Sequence, residues 1–319
     1  MFAHQIHQAL RFCLLPALFL LLACSEQNPQ TPLRIGTNSW IGYEPLYLVQ
    51  HLKLMPEQPL TLNRMNNATE VLAAFERGEL DAAGLTLDET MHLLEKDVKF
   101  KVATILDISD GADKLLVRPS ILALAELKGR SVAFENTAVG ALLLSAALES
   151  AGLTLQDITL VHATADQHYD LYLSGQIDAL VTFQPYATRL AKRGAKSLFD
   201  SSQMTSSRIV DVLIVTPDVA ERRKSELDRL LKSAQTAMDL LAKQNAEAVA
   251  FAGTNLKLPQ SEWPDLLEGI ALGNARFHHD YLKGGKLETT MLELDAVMTQ
   301  NGLLKQSIKD KIGPHLFVQ

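Results

Sequence analysis

The chain has 319 residues, 47% of them hydrophobic and 21% charged, which is enough apolar material for two α/β units with real cores. With 30 Lys and Arg against 37 Asp and Glu the net charge is −7, so there is no positive excess to neutralise a phosphate backbone, and nucleic acid is excluded as a partner. The two cysteines, Cys13 and Cys24, both lie in the first tenth of the chain, which excludes a disulfide framework or a thiolate zinc site in the body.

Residues 1–23 read as a secretory signal: Arg11 is the only full charge, and the apolar run Phe12–Ala23 is too short to span a bilayer. Leu21-Leu22-Ala23-Cys24 is similar to a bacterial lipobox, which makes Cys24 the acylated first residue of the mature chain. A polar tether, residues 24–32, follows.

Leu33–Thr37 is expected to be a strand that passes through a turn, Asn38–Tyr43, into the helix start Pro45–Val49. The spacing of Val71, Leu72 and Phe75 predicts a helix over Ala68–Arg77, closed by Gly78 and followed by the buried strand Leu80–Thr86. Val102–Leu106 and Lys114–Val117 read as two more strands. Arg130–Phe134 repeats the pattern and leads through Glu135–Gly140 into the helix Ala141–Ala151. The unit helix, Gly, x, apolar, Asp, Ala, strand then recurs: Gly78-Glu79-Leu80-Asp81-Ala82 is matched by Gly175-Gln176-Ile177-Asp178-Ala179, whose strand runs on to Thr182. Strands alternating with helices predict parallel sheets with a ligand crevice beyond the strand carboxyl ends.

Ile209–Val215 reads as a further strand. Pro217 opens a long helix with Leu227, Leu230, Leu231, Ala234, Met238 and Leu241 on one face, and helical patterns also fit Trp263–Gly269 and Leu287–Met298. The tail is expected to pack back on the first half. There is no G-x-S-x-G, Walker loop, G-x-G-x-x-G or H-E-x-x-H, so the chain reads as a non-enzyme without cofactor or metal. His278-His279-Asp280 reads as a solvated helix end, His162 and His168 as surface or packing residues, and Lys283-Gly284-Gly285-Lys286 as a basic turn.

Several segments, in order, resemble substrate-binding proteins of the nitrate/sulfonate/taurine importer family, which includes thiamine-pyrimidine and riboflavin binders. They are Ile35–Leu48, Gly78–Thr86, Leu127–Gly140, Gly175–Pro185 and Phe199–Ser202 before the strand carrying Asp211. The resemblance implies an α/β periplasmic-binding-protein fold of class II, with two lobes joined by two crossovers. Residues 33–115 with 208–319 form the first lobe and residues 116–207 the second. Its loops imply a ligand site at Trp40, Gly42 and Tyr43; at Thr86, Asp88 and Glu89; at Ala112 and Asp113; at Glu135, Thr137 and Gly140; at Thr182 and Gln184; and at Asp211. The implied protein is a monomeric lipoprotein of the bacterial cell envelope, facing the periplasm, that hands a small molecule to an ABC permease.

The carboxylates among these residues favour a nitrogen heterocycle, such as a pyrimidine or flavin, stacked on Trp40 or Tyr43. A sulfonate, taurine or nitrate ligand stays open through the helix N-terminus at Asn136–Gly140. Trp40 also fits as a residue that pins its loop, and Asp88 and Glu135 as helix caps. Gly42 is read as letting the backbone approach the ligand. Two further roles remain: a sensor lipoprotein read by a membrane partner, and an enzyme on the same scaffold.

Overall fold

Each half of the chain builds three parallel strands and then receives an antiparallel strand from a segment that crosses between the halves. In the computed structural model, which describes residues 31–135, 138–204 and 208–318, β1 (Leu33–Thr37) pairs in parallel with β2 (Leu60–Arg64) and with β3 (Ala82–Thr86). β10 (Ile209–Val215) runs antiparallel between β3 and β4 (Lys101–Ser109), and β11 (Ile270–Leu272) closes that edge. The first sheet therefore has the order β11-β4-β10-β3-β1-β2.

The second sheet repeats the plan. β6 (Ser131–Phe134) pairs in parallel with β7 (Thr159–His162) and with β8 (Ala179–Thr182). β5 (Lys114–Val117) runs antiparallel to β8 and to β9 (Lys196–Asp200), giving the order β7-β6-β8-β5-β9. The chain passes between the sheets twice, after β4 and after β9. The crossings are joined: Ser109 Oγ lies 2.7 Å from Ser201 Oγ, which accepts from the Gly111 N–H at 2.7 Å, and the Ser201 N–H donates to the Asp113 carbonyl at 2.9 Å.

The repeated Gly-x-apolar-Asp-Ala unit has the same local work in both sheets. Gly78 and Gly175 end their helices with φ of +73° and +80°, a left-handed conformation that glycine adopts without a Cβ clash. The aspartate three residues on then accepts from the first of the three parallel strands, β1 or β6. Asp81 Oδ2 takes the Arg34 N–H at 2.9 Å, and Asp178 Oδ2 takes the Ser131 N–H at 3.0 Å.

On the long helical stripe Leu227, Leu230, Ala234, Met238 and Leu241 are buried, and Leu231 is half-buried. A buried Leu contributes about 1.5–3 kcal/mol, so this face holds the helix Lys224–Ala242 against its neighbours. The helix starts there and not at Pro217, because Arg223 leaves helical geometry at φ −111° and splits off the short helix Pro217–Arg222. Trp263–Gly269 is not helical. Pro264 has no N–H to donate, the Trp263 indole donates instead to the Leu258 carbonyl at 3.3 Å, and the segment folds as turns into β11. The tail does return to the first sheet: Phe317 bridges to Val102 of β4. Among the described residues no helix is long and apolar enough to cross a membrane. Residues 1–30, with the expected signal, lipobox and most of the tether, lie outside the described residues, as does Thr137.

Candidate functional site

β10 sets the site by register. Asp211 is paired with Thr86 of β3 on one side and with Asp107 of β4 on the other, which places two carboxyls and a hydroxyl residue in one row across the sheet. The short turn Ile41–Tyr43 then closes over that row. The Tyr43 hydroxyl donates to Asp211 Oδ1 at 2.5 Å, and Trp40 Nε1 donates to both Asp107 oxygens at 3.1 and 3.2 Å. Glu89 accepts from the Thr86 N–H at 2.9 Å and so closes the first turn of the helix Leu87–Glu95.

The second sheet contributes a different wall. Thr182 ends β8, and its Oγ1 lies 3.0 Å from His168 Nδ1, while His168 Nε2 lies 3.3 Å from the Ala163 carbonyl. A carbonyl only accepts, so Nε2 carries the proton and Nδ1 accepts from Thr182. Phe183 meets Trp40 edge-on, with ring centroids 5.7 Å apart.

These residues enclose a cavity of about 30 Å³ at the carboxyl ends of the parallel strands. Nine of the expected ligand residues line it: Trp40, Tyr43 and Thr86; Glu89, Asp113 and Glu135; and Gly140, Thr182 and Asp211. Four do not. Gly42 turns its missing side chain toward the protein, since a Cβ there would lie 1.8 Å from Asp107 Oδ2 and 2.4 Å from Trp40 Nε1. Ala112 is fully buried in the hydrophobic core with Trp40 and Leu106. Asp88 is 1% exposed beneath the lining. Gln184 spends its Oε1 on the Thr188 N–H at 3.2 Å, capping the helix Tyr186–Ala191.

The lining also holds residues that sequence reasoning passed over: Asn38 and Ala68, Val139 and Val181, and His168 and Ile209. His168 fits the packing half of its reading and not the surface half: it is buried, meets Phe183 and Tyr186 edge-on, and also lines the cavity. Asp107 stands behind the lining and anchors Trp40. Its signal was a lone carboxylate in the apolar run Val102–Ile108, hidden by ending the expected strand at Leu106.

Burial dominates the electrostatics. It pushes Asp107 up to about 8, with the nearby Asp113 charge adding to the effect, and Asp113 itself up to about 6. Glu135 is raised to about 8 by burial and then by Glu89. Asp211 and Asp88 are held well above the usual carboxylate range, again by burial first and then by neighbouring acids. His168 is pushed the other way, down to about 4, by the same loss of water. At neutral pH Asp107 and Glu135 therefore keep protons, and the imidazole is uncharged.

Two sheets joined by two crossings, with a cavity at their facing carboxyl edges, define the periplasmic-binding-protein fold. The chain belongs to the NMT1-like family, whose model matches residues 26–253, more than two thirds of its length. A putative aliphatic sulfonates-binding protein of Escherichia coli is 26% identical over 140 residues. That match covers 44% of this chain, which so spans less than half of that relative, 43% of its length. Among solved structures, the periplasmic aliphatic sulphonate binding protein SsuA of Escherichia coli superposes with a TM-score of 0.74 at 19% identity, over 90% of this chain and 92% of that one. The periplasmic nitrate-binding protein NrtA of Synechocystis PCC 6803 superposes with a TM-score of 0.71 at 11% identity, over 88% and 86%.

Proposed function

We propose that the chain is the non-enzymatic, ligand-capturing component of an ABC importer. The observation that carries this reading is the cavity at the facing carboxyl edges, walled from both sheets and by Asp113 of the first crossing. The two sheets act as lobes, residues 33–115 with 208–319 and residues 116–207, that open to admit a ligand and close over it. The chain is held to the envelope as a monomer through an acylated Cys24.

The relatives above are named for sulfonates and nitrate and none for a pyrimidine or flavin, so the ligand class is drawn from the sulfonate and nitrate group and the heterocycle expectation is set aside. Uptake of labelled alkanesulfonate or nitrate by cells with and without the gene tests the importer role. Loss of uptake in the deletion, restored by the wild-type chain, is the expected result. Tight binding with unchanged uptake would point to the sensor role.

A further inference from the structure

Outside the crossings and the cavity, two kinds of contact join the lobes. One is apolar. The helix Ala138–Ser150 of the second lobe packs on the helices Leu87–Glu95 and Lys286–Gln300 of the first, where Leu142 and Leu143 share one buried core with Met91, Leu94, Leu294 and Met298. Apolar burial has no preferred direction, so such a contact can tilt without being lost. The other kind is polar. Asn67 Nδ2 donates to Asp166 Oδ1 at 3.3 Å, and Lys192 Nζ donates to Glu262 Oε1 at 2.7 Å. Hydrogen bonds weaken steeply with distance and angle, so these links break as soon as the lobes part.

Lys192 and Glu262 form the stronger link. Glu262 lies in the short turn Gln260–Glu262 of the first lobe with its side chain only 8% exposed, while Lys192 follows the helix Tyr186–Ala191 of the second lobe and is 54% exposed. A carboxylate so far out of water is held by the cation it faces. Two more cations stand beside Lys192, and both are tied within their own lobe: Arg189 lies over the Tyr169 ring at 5.0 Å, and Arg193 Nε donates to the Tyr169 hydroxyl at 3.0 Å. Among the ion pairs between described residues, only Lys192–Glu262 joins one lobe to the other. Neither residue lines the cavity. We infer that Lys192 and Glu262 latch the lobes: the pair holds the ligand-free chain closed, and breaking it lets the lobes swing apart about the apolar contact of the helix Ala138–Ser150. The inference rests on the lobe movement of the capture reading and adds to it a pair outside the cavity that sets how readily the cavity opens. A larger closed fraction raises the apparent affinity for whatever ligand the closed form holds.

Small-angle X-ray scattering of the full, ligand-free chain reads the lobe separation. Lys192→Glu, checked for folding by circular dichroism, sets two carboxylates against each other and should lower the closed-to-open ratio about threefold or more, seen as a larger radius of gyration. Lys192→Arg keeps the cation and should stay compact. Lys128→Glu breaks a pair within the second lobe, 3.2 Å from Asp157, and should leave the radius unchanged. Equal expansion in Lys192→Arg or Lys128→Glu overturns the latch. So does a wild type that scatters like Lys192→Glu yet becomes more compact with added butanesulfonate or nitrate, and that result leaves the capture reading standing. A radius that none of the substitutions and neither anion changes removes the lobe movement, and with it both the latch and the capture reading.

Discussion

The two sheets share a framework and differ in what they present to the cavity. In each, a Gly-x-apolar-Asp-Ala unit closes a helix, ties the aspartate to the first strand's backbone and delivers a strand that ends in a threonine, Thr86 or Thr182. In each, the crossing chain adds an antiparallel strand beside that threonine. There the likeness ends: Thr86 is paired with Asp211, whereas Thr182 is paired with Lys114. The first sheet thus builds a row of acids, Asp211 and Asp107, while the second offers a hydroxyl, a neutral imidazole and the Phe183 ring, with Glu135 after β6 as its own carboxyl. Scaffold residues are set by backbone hydrogen bonding and packing, which both sheets need alike. Residues facing the cavity are free of that demand and can diverge.

The sharpest way to break this comparison is pH. Asp107 and Glu135 have folded-state values near 8, above their unfolded ones, so the fold holds protons that the unfolded chain has released. Their contribution is complete at low pH and is lost as pH rises through 8. His168 titrates oppositely, but only below its ordinary value of 6.5. Between pH 6.5 and 8 the unfolding free energy should therefore fall by about 1.4 kcal/mol per pH unit for each carboxyl that keeps its proton, a few kcal/mol in total. Urea denaturation across this range reads the slope. Asp107→Asn should remove the first wall's share of the slope, Glu135→Gln the share of the second, and Thr182→Val should leave it unchanged; equal slopes in all four proteins would remove these two carboxyls as its source.

A smaller effect tests the packing of the acid wall. Gly42→Ala drives a methyl group onto Asp107 and the Trp40 indole, and should cost about 1–3 kcal/mol of stability by thermal or urea denaturation. A neutral outcome would mean that the turn Ile41–Tyr43 is not clamped onto Asp107. The smallest effect concerns the shared framework. Asp81→Ala and Asp178→Ala each remove the same backbone link and should each cost about 1 kcal/mol. The costs should be similar, because Asp81 also holds Arg34 through Nε at 3.1 Å and Nη2 at 2.8 Å, while Asp178 also holds the Ser131 hydroxyl at 2.9 Å and Arg130 Nη1 at 3.4 Å. Costs that differ several-fold would show that the two locks are not equivalent.

The sequence alone determined the alternation of strands and helices, the repeated glycine–aspartate unit, the family resemblance and nine cavity-lining residues, because these are local patterns written in consecutive residues. It did not show β2, β7, β9 or β11, whose short and partly exposed strands lack a strong apolar run. It left Trp40 either stacked on the ligand or pinning its loop, and did not show the bond to Asp107 that does the pinning. It placed Gly42 against the ligand when Gly42 makes room for Asp107 instead. Only the tertiary structure set Asp107, Asp211 and Thr86 in one row. Strand register is fixed by pairing between segments far apart in the chain, and a shift of one residue would have turned every one of these side chains to the opposite face.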